Sequence, residues 1–180
     1  MKASIRVALG RLLAGAGIAL LLSSASLAST RVETGRVVWV SDGDTITVRL
    51  EGVKEKVRLI GIDTPELKDE RHAWRDLAYD ARAFARTRLL GKTVALESDR
   101  LCSDRDKYGR LLRYVVLDDG TDFNEEMIRE GYARAYTRFP FTRADRYKAV
   151  EKKARAAGRG RWGPATAGNA PRPREEGEHR

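Results

Sequence analysis

Histidine and cysteine are nearly missing from this 180-residue chain, which has two of the first, His72 and His179, and one of the second, Cys102. A single cysteine excludes any intramolecular disulfide, so an exported domain must be held by its core or by a bound ion. No histidine shares a motif with Cys102, which reads as a small packing or surface residue rather than a nucleophile. Two histidines, one of them near the C-terminus, cannot build a His-rich zinc site or a paired-histidine phosphodiesterase. His72 reads as a solvated residue at a helix start. Acid–base chemistry therefore falls to carboxylates. Long apolar runs are also scarce, and the run at residues 12–22 is too short for a comfortable membrane span of about 20 residues.

That run follows Lys2, Arg6 and Arg11 and precedes small residues, with Ser26-Leu27-Ala28 fitting a small-x-small cleavage site. A signal peptide over residues 1–28 is expected, and with it export to the periplasm or the medium. The alternative is an uncleaved N-terminal membrane anchor. Acid is the minority charge, 26 Asp+Glu against 35 Lys+Arg, for a net +9 that becomes +6 without the three leader cations. Such basicity attracts polyanions through its field and through counterion release, so nucleic acid or an anionic membrane is the natural partner. At the other end, residues 165–180 turn to Ala, Gly, Pro and charge, and are expected to form a disordered tail.

Between these ends the hydrophobic period changes along the chain. Residues 36–40 read as a strand ended by the turn-formers Ser41-Asp42-Gly43-Asp44. Residues 45–50 alternate, with Ile46, Val48 and Leu50 on one face and Thr45, Thr47 and Arg49 on the other. A Gly-containing reversal at 51–55 leads to a third strand over 56–62, in which both faces look buried and Arg58 needs an anionic partner. From about residue 71 to 90, Trp74, Leu77, Ala78, Ala81, Ala85 and Leu89 follow helical spacing, with Gly91 as the stop. Residues 93–97 and 111–117 read as two more strands. A short helix is expected near 124–130, and a last helix opening at Thr142 with Asp145. Five strands in the order β-β-β-α-β-β, with about three helices, predict an α+β domain built on a small closed Greek-key barrel of the OB type.

Three polar clusters punctuate this plan: Asp42-Gly43-Asp44-Thr45, Asp63-Thr64-Pro65-Glu66 and Asp106-Lys107-Tyr108-Gly109-Arg110. Each alone is ordinary turn chemistry. Together, hard oxygen ligands on two adjacent bends could converge on one cation of the Ca²⁺ kind. Pro65 fixes the backbone beside Thr64 and Glu66. Arg58 and Arg110 are fork-shaped donors suited to a phosphate. Carboxylates and two arginines are what phosphodiester hydrolysis needs where histidine is lacking, the cationic groups offsetting charge on the phosphorane while a carboxylate positions water.

In order and spacing, D-G-D-T, R-L-I-G-I-D-T-P-E and D-K-Y-G-R resemble the thermonuclease (staphylococcal nuclease-like) family. The resemblance continues through Asn124-Glu125, Gly131-Tyr132-Ala133 and Ala157-Gly158-Arg159-Gly160-x-Trp162, and covers residues 33–164. It implies that Asp44 and Asp63 bind Ca²⁺ with the backbone carbonyl of Thr64, and that Asp42 supports them. Glu66 matches the residue that accepts a proton from the attacking water or orients it. Arg58 and Arg110 match the two arginines on the scissile phosphate, Arg110 also easing departure of the 5′-oxygen. The implied reaction is endonucleolytic hydrolysis of DNA and RNA leaving 3′-phosphates, by a monomer without an obligate protein partner.

Residues 67–74 depart from the family's best-known member in lacking its Lys/Gly-rich loop, which touches substrate. Tyr136 sits near the family's base-stacking tyrosines, but Thr137-Arg138-Phe139 shifts the pattern. Tyr136 or Phe139 either stacks on a base or packs in the core. Tyr108 carries the same alternative, and Lys107 reads as a solvated cation that helps hold the polyanion. A competing reading is a non-catalytic OB module that binds single strands or protein partners. A third, a basic membrane-surface protein, lacks the aromatic apolar helix face such proteins use.

Overall fold

The computed structural model describes residues 30–167, so the expected leader and all but the start of the expected tail lie outside the described residues. Five strands close into a barrel: β1 (Val32–Asp42), β2 (Thr45–Leu50), β3 (Val53–Leu59), β5 (Thr93–Glu97) and β6 (Leu111–Val116), in the spatial order β1-β2-β3-β6-β5. All pairings are antiparallel except β3 with β6, which run parallel and make the barrel mixed. Inward positions of β1, β2 and β3 are Val37, Val40, Ile46, Val48 and Val57, each fully buried. The helix α1 (His72–Leu89) buries the Trp74, Leu77, Ala78, Ala81, Ala85 and Leu89 stripe that its 3.6-residue period puts on one face, Ala81, Ala85 and Leu89 joining the barrel core and Trp74 lying against Arg161. His72 is exposed at its first position.

β1 is longer than its apolar run because residues 32–36 pair with β5, and against β2 two register shifts, between Val37 and Trp39 and between Val40 and Asp42, insert an extra residue each. Bulges of this kind bend and twist a strand, which a small closed barrel needs. The third strand also departs from expectation. β3 ends at Leu59, Gly61 adopts φ +74°, and Ile62–Asp63 form a separate strand, β4. β4 pairs with β7 (Arg134–Ala135). The apparent burial of both faces in residues 56–62 is therefore a kink between two sheets. A side chain at 61 would strike the Phe141 ring at 2.6 Å, so only glycine makes this corner.

Asn124, on α2 (Phe123–Arg129), seals the gap this corner opens. Its side-chain oxygen accepts from Val115 N, and its amide donates to Ile60 O and Arg113 O. The last long helix, α3, spans Ala144–Ala156 and does not open with a Thr142 cap. Thr142 instead donates its N–H and hydroxyl to Asp99, at 2.6 and 2.7 Å, so that tertiary bond takes the side chain a local capping box would have used. After a 3₁₀ turn at Gly160–Trp162, the chain makes one further helical turn, α4 (Pro164–Ala167). Disorder expected from residue 165 thus gives way at its start, where Thr166 is buried and donates its hydroxyl to Gly160 O and Gly163 O.

Candidate active site

Barrel register carries the first two polar clusters to one end of the meander. Asp42, Thr45 and Arg58 stand directly opposite one another across β1, β2 and β3. Asp44 lies in the bend between, its carbonyl accepting from Leu59 N at 2.9 Å. Gly43 is needed there for space: a Cβ would lie 2.8 Å from Thr64 Cγ2 and 3.1 Å from both Ala81 and Met127. The bend is pressed against α1 and against the Thr64 segment, which brings the second cluster to the first.

Asp44 is nearly buried and fully committed. Its Oδ2 accepts from Thr64 N at 3.2 Å and Thr64 Oγ1 at 3.0 Å, and its Oδ1 from Thr45 Oγ1 at 2.9 Å. Arg58 Nη2 is 3.2 Å from Asp44 Oδ2 and 3.8 Å from Asp63 Oδ1, so one guanidinium nitrogen bridges the two carboxylates. Its other terminal nitrogen donates to Leu59 O at 2.9 Å. This is the anionic partner that the half-buried arginine required. Beside them, burial and the neighbouring charge of Asp44 push Asp42 up to about 6, against the opposing pull of the Gly43 N–H and nearby arginines.

Arg110 joins through Thr45, donating from Nη1 to Thr45 Oγ1 at 3.5 Å. Its fork is held by Asp106, whose Oδ2 receives Nε at 2.8 Å and Nη2 at 2.7 Å. The same carboxylate accepts the backbone N–H of Tyr108 and of Arg110, which shapes the whole loop around the arginine. These bonds outweigh burial and hold Asp106 below its ordinary pKa. Tyr108 is 71% exposed with Lys107 and Arg110 over its ring at 5.1 and 5.4 Å, which removes the core-packing alternative for it. Lys107 is exposed, as expected of a solvated cation. Tyr136 is half-buried against Phe139, ring centres 6.1 Å apart, and Phe139 is 62% exposed, so this pair sits at the surface rather than in the core.

Glu66 lies two residues past Thr64, exposed on the loop that Pro65 anchors, and its carbonyl accepts from Asp69 N at 3.0 Å. Asp44 thus contacts both Arg58 and Thr64, Arg58 also reaches Asp63, Arg110 is one hydroxyl away, and Glu66 and Tyr108 are exposed. Two residues without an assigned role complete the setting of Asp63. Arg134 Nε donates to Asp63 Oδ2 at 2.9 Å, and Arg161 Nη1 donates to Asp63 O at 3.2 Å. Arg161 is buried between the Trp74 and Trp162 rings, at 5.0 and 5.1 Å, where desolvation lowers it to about 10 and leaves it cationic at neutral pH. The only sequence signal for it is its place as the unassigned letter in Gly160-x-Trp162.

Among the described residues no three His, Cys, Asp or Glu side chains gather as a metal cluster. Two carboxylates are too few for a closed four-ligand zinc site. They do suit Ca²⁺, a hard cation that fills its shell with backbone carbonyls and water. The Asp63 side chain is 35% exposed, so its carboxylate is partly open to solvent.

The sequence model of the family described as staphylococcal nuclease homologue matches residues 56–164. The chain belongs to that family. It is 34% identical over 140 residues to the thermonuclease of Staphylococcus hyicus, covering 77% of this chain and 81% of the relative. It is 42% identical over 110 residues to the thermonuclease of Staphylococcus intermedius, covering 61% and 64% of the two chains. An uncharacterized protein of Methanocaldococcus jannaschii is 34% identical over 147 residues, covering 71% and 70%. Membership makes the chain a nuclease of the thermonuclease type, with nucleic acid as its substrate class. Arg58, Asp63, Thr64, Glu66 and Arg110 fall inside the matched residues 56–164, while Asp42 and Asp44 precede them. The contacts of Asp44 with Arg58 and Thr64 join that bend to the family core.

Proposed function

We propose that the protein is a Ca²⁺-dependent endonuclease that hydrolyses the 5′-O–P bond of DNA and RNA and leaves 3′-phosphates. The observation that carries this reading is the bridge from Arg58 to Asp44 and Asp63, with Arg110 one hydroxyl away. Asp44, Asp63 and the Thr64 carbonyl would hold the Ca²⁺, and Asp42 would reinforce their negative field. When bound, that ion supplies positive charge that offsets the charge building on the phosphorane.

The remaining work falls to this chain's side chains. Arg58 at present neutralises two carboxylates, and with their charge met by a cation its donors can turn to a phosphate oxygen. Arg110, pre-aimed by Asp106, grips a second oxygen and stabilises the leaving 5′-oxygen as the bond breaks. Glu66, exposed on its loop, takes a proton from the attacking water or holds that water in line. Tyr108 and Lys107 flank the phosphate from the rim, and Tyr136 offers a ring to a base. The enzyme acts as an exported monomer, its first 28 residues serving as a signal peptide. N-terminal sequencing of secreted protein, with its mass in solution, checks that part.

The deciding assay incubates purified mature protein with single-stranded DNA and with RNA, in millimolar Ca²⁺ or in EGTA, and analyses product ends. Cleavage with 3′-phosphate ends in Ca²⁺ alone is expected. Binding without products in Ca²⁺ would favour the non-catalytic module instead.

A further inference from the structure

The outer face of β1, β2 and β3 carries charge and an aromatic ring that the chemistry above does not use. Residues directly opposite in a ladder share a face, so the register sorts this surface into rows. Asp42, Thr45 and Arg58 form the row at the active site. Trp39, Thr47 and Lys56 form the next, and Arg36, Arg49 and Lys54 the one beyond it. Successive rows are about 7 Å apart, so the surface leads roughly 14 Å away from the reacting phosphate. β1 contributes to all three only because its two bulges put positions 36, 39 and 42 on one side.

Trp39 is 50% exposed, and α1 lays the guanidinium groups of Arg82 and Arg86 on its ring at 5.8 and 5.7 Å. Arg82 also donates to Val40 O at 3.4 Å, which ties the tryptophan row to the bend that bears Asp42. Arg36, Arg49 and Lys54 stand directly opposite one another, an arrangement that destabilises a ladder when the charges are alike. No ion pair relieves it: among the described residues none of these cations, nor Lys56 or Arg86, forms one, and Arg82 forms none either although it lies near enough to Asp42 to pull on its carboxylate. A half-exposed indole set in a strip of cations outside any ion pair, leading away from the active-site row, is complementary to one kind of ligand, a strand with anionic phosphates and stackable bases.

We propose that this face is the track for the single-stranded nucleic acid leading away from the scissile phosphate. Trp39 stacks on a base, flanked by Arg82 and Arg86, and the lysine and arginine rows hold the phosphates that follow. The inference rests on the active site placed at Asp44, Arg58 and Arg110. About 14 Å corresponds to about four phosphates at the 3.4 Å rise of a duplex strand, and to fewer in an extended one.

The test uses fluorescein-labelled dT12 and the mature protein in EGTA, so that binding is read by anisotropy without cleavage. Trp39→Ala is expected to bind about fivefold to a hundredfold more weakly, and Trp39→Phe to recover most of the loss. The double variant Lys54→Gln/Lys56→Gln is expected to flatten the slope of log affinity against log salt by about 1.4. Lys148→Gln, removing an exposed cation on α3, is the control and should bind as the parent does. Should Trp39→Ala fail to fold, the salt slope of the double variant decides. Cleavage of DNA in Ca²⁺ together with unchanged dT12 affinity and an unchanged salt slope in the variants overturns the track. Trp39-dependent binding of dT12 without any cleavage in Ca²⁺ would keep the track and refute the nuclease chemistry.

Discussion

Replacing Arg58 by methionine removes the one cation that bridges Asp44 and Asp63 while keeping an apolar stem of similar length. Because both carboxylates contact the same Nη2, at 3.2 and 3.8 Å, their oxygens lie within about 7 Å of each other. Two like charges at that distance repel by roughly 2 kcal/mol at an effective dielectric of about 20. Asp63 is partly solvated and also pairs with Arg134, so a cost of about 1–2 kcal/mol is expected in metal-free protein. A domain of this size should then melt about 3–8 °C lower in EGTA. Calcium should stabilise the variant more than the parent, because the unbridged carboxylates gain more from a cation. Activity should not return with stability: loss of a donor to the transition state predicts at least a hundredfold lower kcat. Calorimetric melts of both proteins in EGTA and in Ca²⁺, beside cleavage rates, separate the two effects. A melting deficit of the same size in both buffers would mean that Arg58 is a structural strut. Cleavage within tenfold of the parent would end its assignment to the phosphate.

The other predictions probe the supports of the site. Asp106→Asn frees the Arg110 fork from its anchor and should lower kcat about tenfold, against about a hundredfold for Arg110→Ala, with melting little changed. Asn124→Ala strands the Val115 N–H and the Ile60 carbonyl in a buried place, while the Arg113 carbonyl keeps its bond from Ile60 N, and should cost about 2–4 kcal/mol in urea titrations. Asp99 is raised by burial but lowered more by its bonds from Tyr114, Leu101 and Thr142, so its pKa falls on folding. Its contribution is therefore whole above the unfolded value of about 3.9 and disappears as pH falls through the folded one. Asp99→Asn should melt lower than the parent at pH 7, and the gap should close below pH 4; an unchanged gap at pH 2.5 would refute the assignment.

Local patterns in the chain disclosed whatever depends on near neighbours. The strand at 93–97 is bounded by its turn residues and its alternation, and the α1 stripe from Trp74 to Leu89 by its period, so both could be read directly. Positions 36, 39 and 42 share a face only because two bulges, invisible to a period-2 rule, lie between them. Gly61 looked like an ordinary strand residue, since the Phe141 ring that forbids any side chain there comes from 80 positions later. Asp44, Arg58, Asp63, Thr64 and Arg110 could be singled out as candidates through motif and residue type, because hard oxygens and guanidinium forks announce a possible chemistry wherever they fall, and the barrel brings them close together. Arg134 and Arg161 reach Asp63 from 71 and 98 positions away, with no local pattern to single them out from the chain's many other cations. The division has a physical origin. Groups that meet substrate must carry particular atoms, whereas groups that hold them in place need only a position, and position is fixed by barrel register and by the corner at Gly61. Substitutions at the second kind should accordingly tolerate a change of chemistry better than a change of reach, so that Arg134→Lys, able to span to Asp63, disturbs the site less than Arg134→Ser.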